Sequence, residues 1–222
     1  MKIVRAVDAA GLVLLREGPR GTEVLMGRRH GRAKFLPDIY VFPGGRVDPI
    51  DRQSTGFPEA IAAGLAAELR RGAGRRDPVA LMRAAIRETY EETGLMLAAA
   101  AQDRPSGATG VWCDFAARGL RPRFEGLGYV CRAITPRGSH RRYNTRFFLA
   151  DGAHASGEIK GDGELEDLAW RLVTDMARFA LVDVTEFVLQ ESVNRWKKGV
   201  IMDRGPAPLF RYVKDSARVT RA

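Results

Sequence analysis

The chain has 222 residues, 45% of them apolar, which is enough for one domain with a genuine core and room for an insertion. It contains no apolar run near 18 residues and no charged head before an apolar segment, so neither a membrane span nor a signal peptide is indicated, and we expect a cytoplasmic protein. Lysine and arginine outnumber aspartate and glutamate by 36 to 27, and the resulting charge of +9 favours anionic partners such as phosphate-bearing small molecules, nucleic acid or an acidic membrane face. Cys113 and Cys131 form no CxxC pair, and we expect buried free thiols.

The first part of the chain predicts a hairpin, a further strand and a helix. AVDAAGLVLLRE and EVLMGRRH are strand-like and are separated by the turn signal GPRG, which indicates a β-hairpin. DIYVFPGGRVD predicts a strand that stops at Pro43 and then enters a glycine turn. From Phe57 to Gly74, apolar residues recur every four positions, which predicts a weakly amphipathic helix followed by a linker.

Residues 77–94 carry the signals of a helix of about four turns. Asp77 is a candidate N-cap, Pro78 suits the first helical position, and Gly94 suits a left-handed C-terminal cap. The residues expected to face a core are Met82, Ala85, Ile86 and Thr89. The residues expected to share the other face are Glu88, Glu91 and Glu92.

The later elements are less regular. GLGYVCRAITP and YNTRFFLA are strand-like, and LEDLAWRLV is ambiguous. DVTEFVLQESVNRWKKG has the capping and periodicity of a closing helix. The pattern assigns no element to residues 206–222.

Three carboxylates on one helix face repel each other by a few tenths of a kcal/mol per pair, a cost that Mg²⁺ or Mn²⁺ would reverse. Glutamate-rich faces with neighbouring arginines are also common on solvated surfaces, so the three residues alone do not decide. The complete pattern does: RETYEETGL resembles the second half of the Nudix hydrolase box, and VFPGG resembles the glycine pair that opens it.

The chain departs from the family pattern between these two halves. Six residues after Gly45, where the family has a glutamate, stands Asp51, and Arg87 follows 36 positions later, which implies an insertion of 28 residues over the usual spacing. A long insertion here resembles the subgroup of peroxisomal acyl-coenzyme A diphosphatases, as do GRAKFLPDIYVFPGGRVDPID and RRYNTRFFLA. The coenzyme A signature of some bacterial relatives is not recognisable. The resemblance covers about residues 5–200.

The resemblance implies an α/β fold, the Nudix α/β/α sandwich, with a mixed β-sheet and an inserted helix between the glycine turn and the catalytic helix. It divides the chain into a Nudix domain at 1–205, with the insertion at 52–76, and a C-terminal tail at 206–222. The insertion is expected to shape substrate choice or an oligomer contact. Dimers are frequent in the family, so a homodimer is compatible with the resemblance.

The implied activity is metal-dependent hydrolysis of a nucleoside diphosphate linked to another moiety, with Mg²⁺ or Mn²⁺ as cofactor. Glu88, Glu91 and Glu92 match the metal-binding glutamates, and the carbonyl of Gly44 is a further candidate ligand. Arg87 is expected to be structural, tying the helix to Asp51 or Asp48. Glu91, Glu164 and Glu166 compete for the role of general base. Arg28, Arg29 and Gly45 are the candidates for substrate binding, although the arginines could equally be solvated charges.

The leading substrate is coenzyme A or acyl-coenzyme A, and ADP-ribose or a dinucleoside polyphosphate is the alternative. A second class of function is a non-catalytic regulatory domain that binds a nucleotide. The intact glutamate set argues against that class, and the chain has no added helix-turn-helix segment, so nucleic acid is a disfavoured partner. Among the aromatic residues, Tyr143 or Phe124 could stack on an adenine, whereas the tryptophans are expected in the core or an interface.

Overall fold

A long β-hairpin forms the centre of the structure. In the computed structural model, which describes residues 4–33, 36–71, 77–103, 105, 107–201, 206–213 and 216–221, strand β1 spans Val7–Gly18 and strand β2 spans Gly21–Arg29. Gly18 pairs with Gly21, which confirms the predicted hairpin. Every residue of β1 from Ala9 to Leu15 is buried. Burial on both faces identifies β1 as a central strand.

Ten further strands complete two sheets in the described residues. They are β3 (Tyr40–Val41), β4 (Gly44–Arg46), β5 (Met96–Ala100), β6 (Leu120–Pro122), β7 (Gly128–Ile134), β8 (Tyr143–Asp151), β9 (Ala155–Ser156), β10 (Leu165–Leu172), β11 (Leu209–Val213) and β12 (Ser216–Thr220). The main sheet has the order β10-β2-β1-β8-β7-β11-β12, with β3 beside β2 and β4 beside β1. It is mixed, because β1 and β8 run parallel, as do β7 and β11, while the other pairs are antiparallel. The small sheet has the order β6-β5-β9.

Several strand predictions are confirmed and one is corrected. The strand-like runs near residues 128–134 and 143–151 are β7 and β8, and the ambiguous run is β10. The glycine pair that was expected to form a turn is instead strand β4, because Gly44 and Gly45 pair with Gly11 and Ala10 of β1. The unassigned segment 206–222 supplies β11 and β12 to the main sheet.

Four α-helices and three 3₁₀ helices are present in the described part of the chain. The α-helices are α1 (Ala63–Arg70), α2 (Pro78–Thr93), α3 (Trp112–Ala117) and α4 (Asp183–Lys197), and the 3₁₀ helices are Pro49–Arg52, Gly152–His154 and Val173–Arg178. Helix α1 is shorter than the helix expected from Phe57 onward, and residues 72–76 of its predicted linker lie outside the described residues. Over the residues with described positions, no helix is long and apolar enough to cross a membrane.

Helix α2 begins and ends where the sequence indicates. The side chain of Asp77 accepts a hydrogen bond from Val79 N at 3.0 Å, and Pro78 occupies the first turn. At the other end Gly94 has φ +74° and its N–H donates to Tyr90 O. The four residues predicted to face the core are all buried: Met82, Ala85, Ile86 and Thr89.

The alternation of β1 places a helix on each face of the main sheet. Leu12 and Leu14 belong to the apolar cluster that includes Ile86 of α2. Val13 and Leu15 belong to the cluster on the other face, which includes residues of α4. The three layers therefore form the expected α/β/α sandwich with a mixed sheet.

The cysteine expectation is half right. Cys131 is a buried free thiol, and burial raises its pKa to about 12. Cys113 is exposed, because only one side of α3 faces the core, through Trp112 and Phe115.

The C-cap of α2 gives a test of how tightly the fold constrains one residue. Gly94 and Gly107 have nearly equal φ values, +74° and +75°, but a Cβ at Gly94 would lie 2.5 Å from Glu158 O, whereas a Cβ at Gly107 meets nothing within 4 Å. We expect Gly107→Ala to lower the free energy of unfolding by about 1 kcal/mol through backbone strain alone. Gly94→Ala should lower it by roughly 1–3 kcal/mol more, because the new methyl group collides with backbone. Urea denaturation of both variants measures the difference, and equal losses would contradict the crowding argument.

Candidate active site

A cleft of about 730 Å³ opens between the start of β1, strand β4, the C-terminal half of α2 and the first turn of α4. Eight of the ten residues proposed from the sequence line it: Arg29, Gly44, Gly45, Arg87, Glu88, Glu91, Glu92 and Glu164. These residues come from four separate parts of the chain, so the fold brings the two halves of the box to one place despite the long segment between them.

Glu92 connects α2 to the glycine strand. Its side chain is 4% exposed, and its Oε2 accepts a hydrogen bond from Gly44 N at 2.8 Å. Burial raises the pKa of this carboxyl well above its usual range, and the hydrogen bond from Gly44 opposes the rise only in part. A carboxylate held in this way is stabilised by any positive charge that enters the cleft.

Glu88 lies against the second glycine of the pair. A Cβ at Gly45 would come within 2.4 Å of Glu88 Oε1, so a residue with a side chain would push the carboxylate away from the strand. Burial raises the pKa of Glu88 to about 7, although the nearby Arg87 acts in the opposite direction. The glycine at 45 therefore leaves free the space that the Glu88 carboxylate occupies beside the strand.

Arg87 links α2 to the 3₁₀ helix Pro49–Arg52. Its Nε and Nη2 donate to the two carboxylate oxygens of Asp51, each at 2.8 Å, and Asp51 is fully buried. The same guanidinium donates to Arg46 O at 3.2 Å. The expected structural partner of Arg87 is thus Asp51 and not Asp48, which instead donates its backbone N–H to Asp51. This bidentate pair fixes the angle at which the glutamate face meets the glycine strand.

Arg87 also separates the carboxylates that were expected to converge. Its Nη1 lies 2.9 Å from Glu88 Oε1 and 2.6 Å from Glu91 Oε2. Among the residues with described positions, no three His, Cys, Asp or Glu side chains are grouped around a common point suited to a metal ion. The three glutamates share one cleft, but the guanidinium draws Glu88 and Glu91 toward itself while Glu92 bonds to Gly44.

Two of the proposed residues do not line the cleft. Arg28 Nη2 donates to Glu166 Oε2 at 2.8 Å, and Glu166 also lies 3.4 Å from His30 Nε2. These side chains neutralise each other outside the cleft. Arg28 and Arg29 are neighbours on β2, so their side chains point to opposite faces. Glu164 precedes β10, so the alternation of that strand does not place it. Arg29 and Glu164 face the cleft instead.

The two aromatic residues proposed to stack on an adenine lie in different environments. Phe124 is 4% exposed inside the core and cannot stack on a ligand, whereas Tyr143 lines the cleft. Trp112 is fully buried, as expected of a core tryptophan.

Sequence reasoning missed one wall of the cleft. Thr145 and Phe147 line it from β8, and the period-two alternation of YNTRFFLA could have placed them on one face. Phe210 and Tyr212 line it from β11, where the sequence carried no assignable pattern.

The donor set at the glutamate end fits Mg²⁺ or Mn²⁺. It consists only of oxygen atoms, which these ions prefer, and desolvation raises the pKa values of two of its carboxylates, Glu88 and Glu92. A Cβ at Gly44 would lie 2.5 Å from Ala10 O, so glycine at this position lets β4 lie close against β1.

The buried pair between Arg87 and Asp51 predicts an asymmetry between charge substitutions. Asp51→Asn preserves shape but leaves Arg87 without its bidentate partner, and we expect it to lower the free energy of unfolding by about 3–5 kcal/mol. Glu125→Gln removes one partner of the exposed pair with Arg121 and should cost less than about 1 kcal/mol. Chemical denaturation of both variants measures this, and an Asp51→Asn loss as small as the control would remove the pair from its structural role.

Comparisons with known proteins agree on the fold. No protein-family model matches the sequence, and no curated protein matches it. Solved structures do match. A Nudix hydrolase from Alicyclobacillus acidocaldarius is 26% identical, over 91% of this chain and 100% of that chain, with a TM-score of 0.63. The Nudix domain of Shewanella oneidensis NrtR, complexed with ADP ribose, is 12% identical over 87% of this chain and 90% of that chain, with a TM-score of 0.51. A mutator MutT protein from Bacillus halodurans is 12% identical over 96% of each chain, with a TM-score of 0.50.

The Alicyclobacillus enzyme is similar over nearly its whole length, and the other two structures share the fold. The α/β/α sandwich agrees with this similarity, and so does the box, whose residues from RETYEETGL and VFPGG line one cleft. In fold, and in sequence over 91% of its length, the chain is similar to a Nudix hydrolase.

Proposed function

We propose that the protein hydrolyses the diphosphate bond of a nucleoside diphosphate linked to another moiety, with Mg²⁺ or Mn²⁺ as cofactor. The observation that carries the proposal is the composition of the cleft. Two carboxylates, the buried Glu92 and the partly buried Glu88, lie against the Gly44–Gly45 strand, and Arg29 enters the same cleft. A site with acidic and basic ends suits a cation together with a phosphorylated substrate.

Arg29 is the residue of this chain best placed to hold a substrate phosphate. It forms no ion pair with any other described residue, and its Nε is buried without a hydrogen-bond partner there. An arginine in this state has its guanidinium available for a planar oxyanion, which it can bind through two parallel hydrogen bonds. It is also close enough to lower the pKa of Glu92, so it lies near the acidic end of the cleft.

Glu88, Glu91, Glu92 and the carbonyl of Gly44 would hold the divalent ion. When bound, such an ion neutralises diphosphate charge and makes an attacking water easier to deprotonate. The chain's own contribution is to fix these oxygens: Arg87 orients Glu88 and Glu91, and Gly44 N orients Glu92.

Glu164 is our proposed general base. It lines the cleft, and its side chain is exposed there, so it can take a proton from water beside the substrate. Glu166 is committed to Arg28 and His30, and Glu91 is held by Arg87. These contacts leave Glu164 as the carboxylate with the freest access to the cleft among the three candidates.

Coenzyme A or acyl-coenzyme A is our proposed substrate, because of the resemblance to the acyl-coenzyme A diphosphatase subgroup. ADP-ribose, which is bound in the Shewanella structure, and dinucleoside polyphosphates are the alternatives. None of the described residues of the insertion at 52–76 lines the cleft, and we therefore favour an oligomer contact through α1 over substrate choice as its role.

The deciding experiment is a substrate panel with product identification by mass. The purified protein is incubated with Mg²⁺ or Mn²⁺ and coenzyme A, an acyl-coenzyme A, ADP-ribose, NADH or diadenosine polyphosphates. We expect cleavage of a diphosphate bond, no turnover in excess chelator, and activity that rises as the pH passes about 7, where Glu88 loses its proton and can bind a cation.

Glu92→Gln should lower kcat by roughly a hundredfold or more, equivalent to about 2.7 kcal/mol of transition-state stabilisation, with the fold intact. Near-normal turnover in this variant, or full activity in chelator, would overturn the proposal. Nucleotide binding without turnover in the parent would instead favour a regulatory domain.

Adjacent arginines provide a matched pair of variants. Arg29→Gln should lower kcat/KM about tenfold or more, because a phosphate contact in the cleft is lost. Arg28→Gln removes the same charge one residue away, outside the cleft, and should change kcat/KM by less than about threefold. Steady-state kinetics at fixed ionic strength separates the two, and equal effects would show that only the overall positive charge matters.

A further inference from the structure

The strand registers place five residues in one row across the floor of the cleft. Arg46 of β4 pairs with Ala9 of β1, and Ala9 pairs with Thr145 of β8. Thr145 pairs with Ala133 of β7, which in turn pairs with Phe210 of β11. All five residues line the cleft.

The side chains of this row are small in its middle and large at its two ends. Ala9, Thr145 and Ala133 have small side chains, whereas Arg46 and Phe210 are large. Four strand spacings of about 4.8 Å separate the two ends, or about 19 Å in total. The cleft is therefore a trough that runs across the strands of the sheet from the glutamate end to β11. Its length matches that of an extended nucleotide and exceeds that of a lone phosphate.

Aromatic rings stand around the far part of this trough. Phe147 and Tyr143 of β8 lie on the two sides of Thr145, two residues away in each direction, and both line the cleft. Tyr212 of β11 also lines it. Ala133 and Thr145 form the floor between these rings, and their side chains are small and apolar apart from the Thr145 hydroxyl. Such a floor suits a planar group with polar edges.

Tyr212 is held in place from behind. Its hydroxyl donates to Asp183 Oδ1 in the first turn of α4, and its ring packs edge-on against Phe210 with centroids 5.6 Å apart. The ring is only half-buried, so part of it remains open to the cleft. A ring that is anchored at one edge and open on the other side loses little freedom when a ligand stacks on it.

We infer that the C-terminal strand β11 forms the wall of a nucleobase subsite, in which Tyr212 stacks on the base of the substrate while its diphosphate lies at the glutamate end. This rests on the proposed function for the position of the diphosphate, and it assigns the other end of the trough to the nucleoside. The segment 206–222 is then a determinant of substrate choice and not a passive tail.

Binding of two probes by calorimetry tests the assignment without requiring turnover. ADP carries a base and a diphosphate, whereas methylenediphosphonate carries only the phosphate part. Tyr212→Ala should weaken ADP binding about tenfold, because a stacking contact is lost. It should leave methylenediphosphonate binding within about twofold, because the phosphate end is untouched. Tyr212→Phe keeps the ring and should bind ADP within about twofold of the parent.

A floor variant provides an independent measurement. Ala133→Leu fills the trough beneath the base and should also weaken ADP binding about tenfold, while Ala99→Leu, the same change on β5 outside the cleft, should not. Melting curves on all variants verify folding. A loss of ADP binding in Tyr212→Phe as large as in Tyr212→Ala would show that the hydroxyl only tethers α4, and unchanged ADP binding in Tyr212→Ala and Ala133→Leu would place the base elsewhere. Either result overturns the inference.

Failure of the nucleobase subsite can be distinguished from failure of the proposed hydrolase function. If the parent binds ADP and Tyr212→Ala and Ala133→Leu lose it while no panel compound is hydrolysed, the subsite stands and the hydrolase proposal fails. If the parent hydrolyses a panel compound but Tyr212→Ala and Ala133→Leu keep its KM, the subsite fails alone. A parent that binds neither probe overturns both.

Discussion

The buried ion pair between Arg87 and Asp51 is the contact on which the site depends. Two charged groups leave water at a considerable cost, and the cost is offset only because the guanidinium makes two parallel hydrogen bonds and the carboxylate accepts a third from Asp48 N. The pair joins two segments that are far apart in sequence. Together with the hydrogen bond from Gly44 N to Glu92, it holds the glutamate face of α2 against the glycine strand.

The same helix serves the core and the site. One side of α2 packs Ile86 and Met82 into the apolar cluster, and the other presents carboxylates to the cleft. Because the apolar side of α2 is rigidly packed, the helix cannot shift to relieve the repulsion between the carboxylates on its other side. The glutamates therefore carry a free-energy cost from burial and from mutual repulsion. Hydrogen bonds from Arg87 and from Gly44 N offset part of this cost.

Local signals predicted what depends on local structure. Asp77, Pro78 and Gly94 define α2 from a few residues each, and the three glutamates follow from helical spacing alone. By contrast, Gly44 and Gly45 form a strand only because β1 supplies a partner, and no local pattern shows that partner. Arg28 and Arg29 look alike in sequence, as do Glu164 and Glu166. The structure separates the two arginines because they are neighbours on β2 and a strand sends successive side chains to opposite faces. Glu164 and Glu166 are two positions apart, so alternation does not separate them. Glu164 precedes β10, whereas Glu166 lies on it and pairs with Arg28. Phe210 and Tyr212 were not predictable, since five residues of mixed character at the end of a chain carry too little periodicity.

The parallel pairing of β1 with β8 has a consequence for how the protein reaches its structure. Val7 pairs with Tyr143 and Leu15 with Asp151, so the central strand of the sheet finds its neighbour only after most of the chain is available. The β1–β2 hairpin and α2 can form early from nearby residues. The edge of β1 that pairs with β8 stays exposed until β8 is available. Pairings of such large sequence separation are slow, and an open apolar strand edge promotes aggregation in the interval. We expect refolding yield, more than equilibrium stability, to fall steeply with protein concentration.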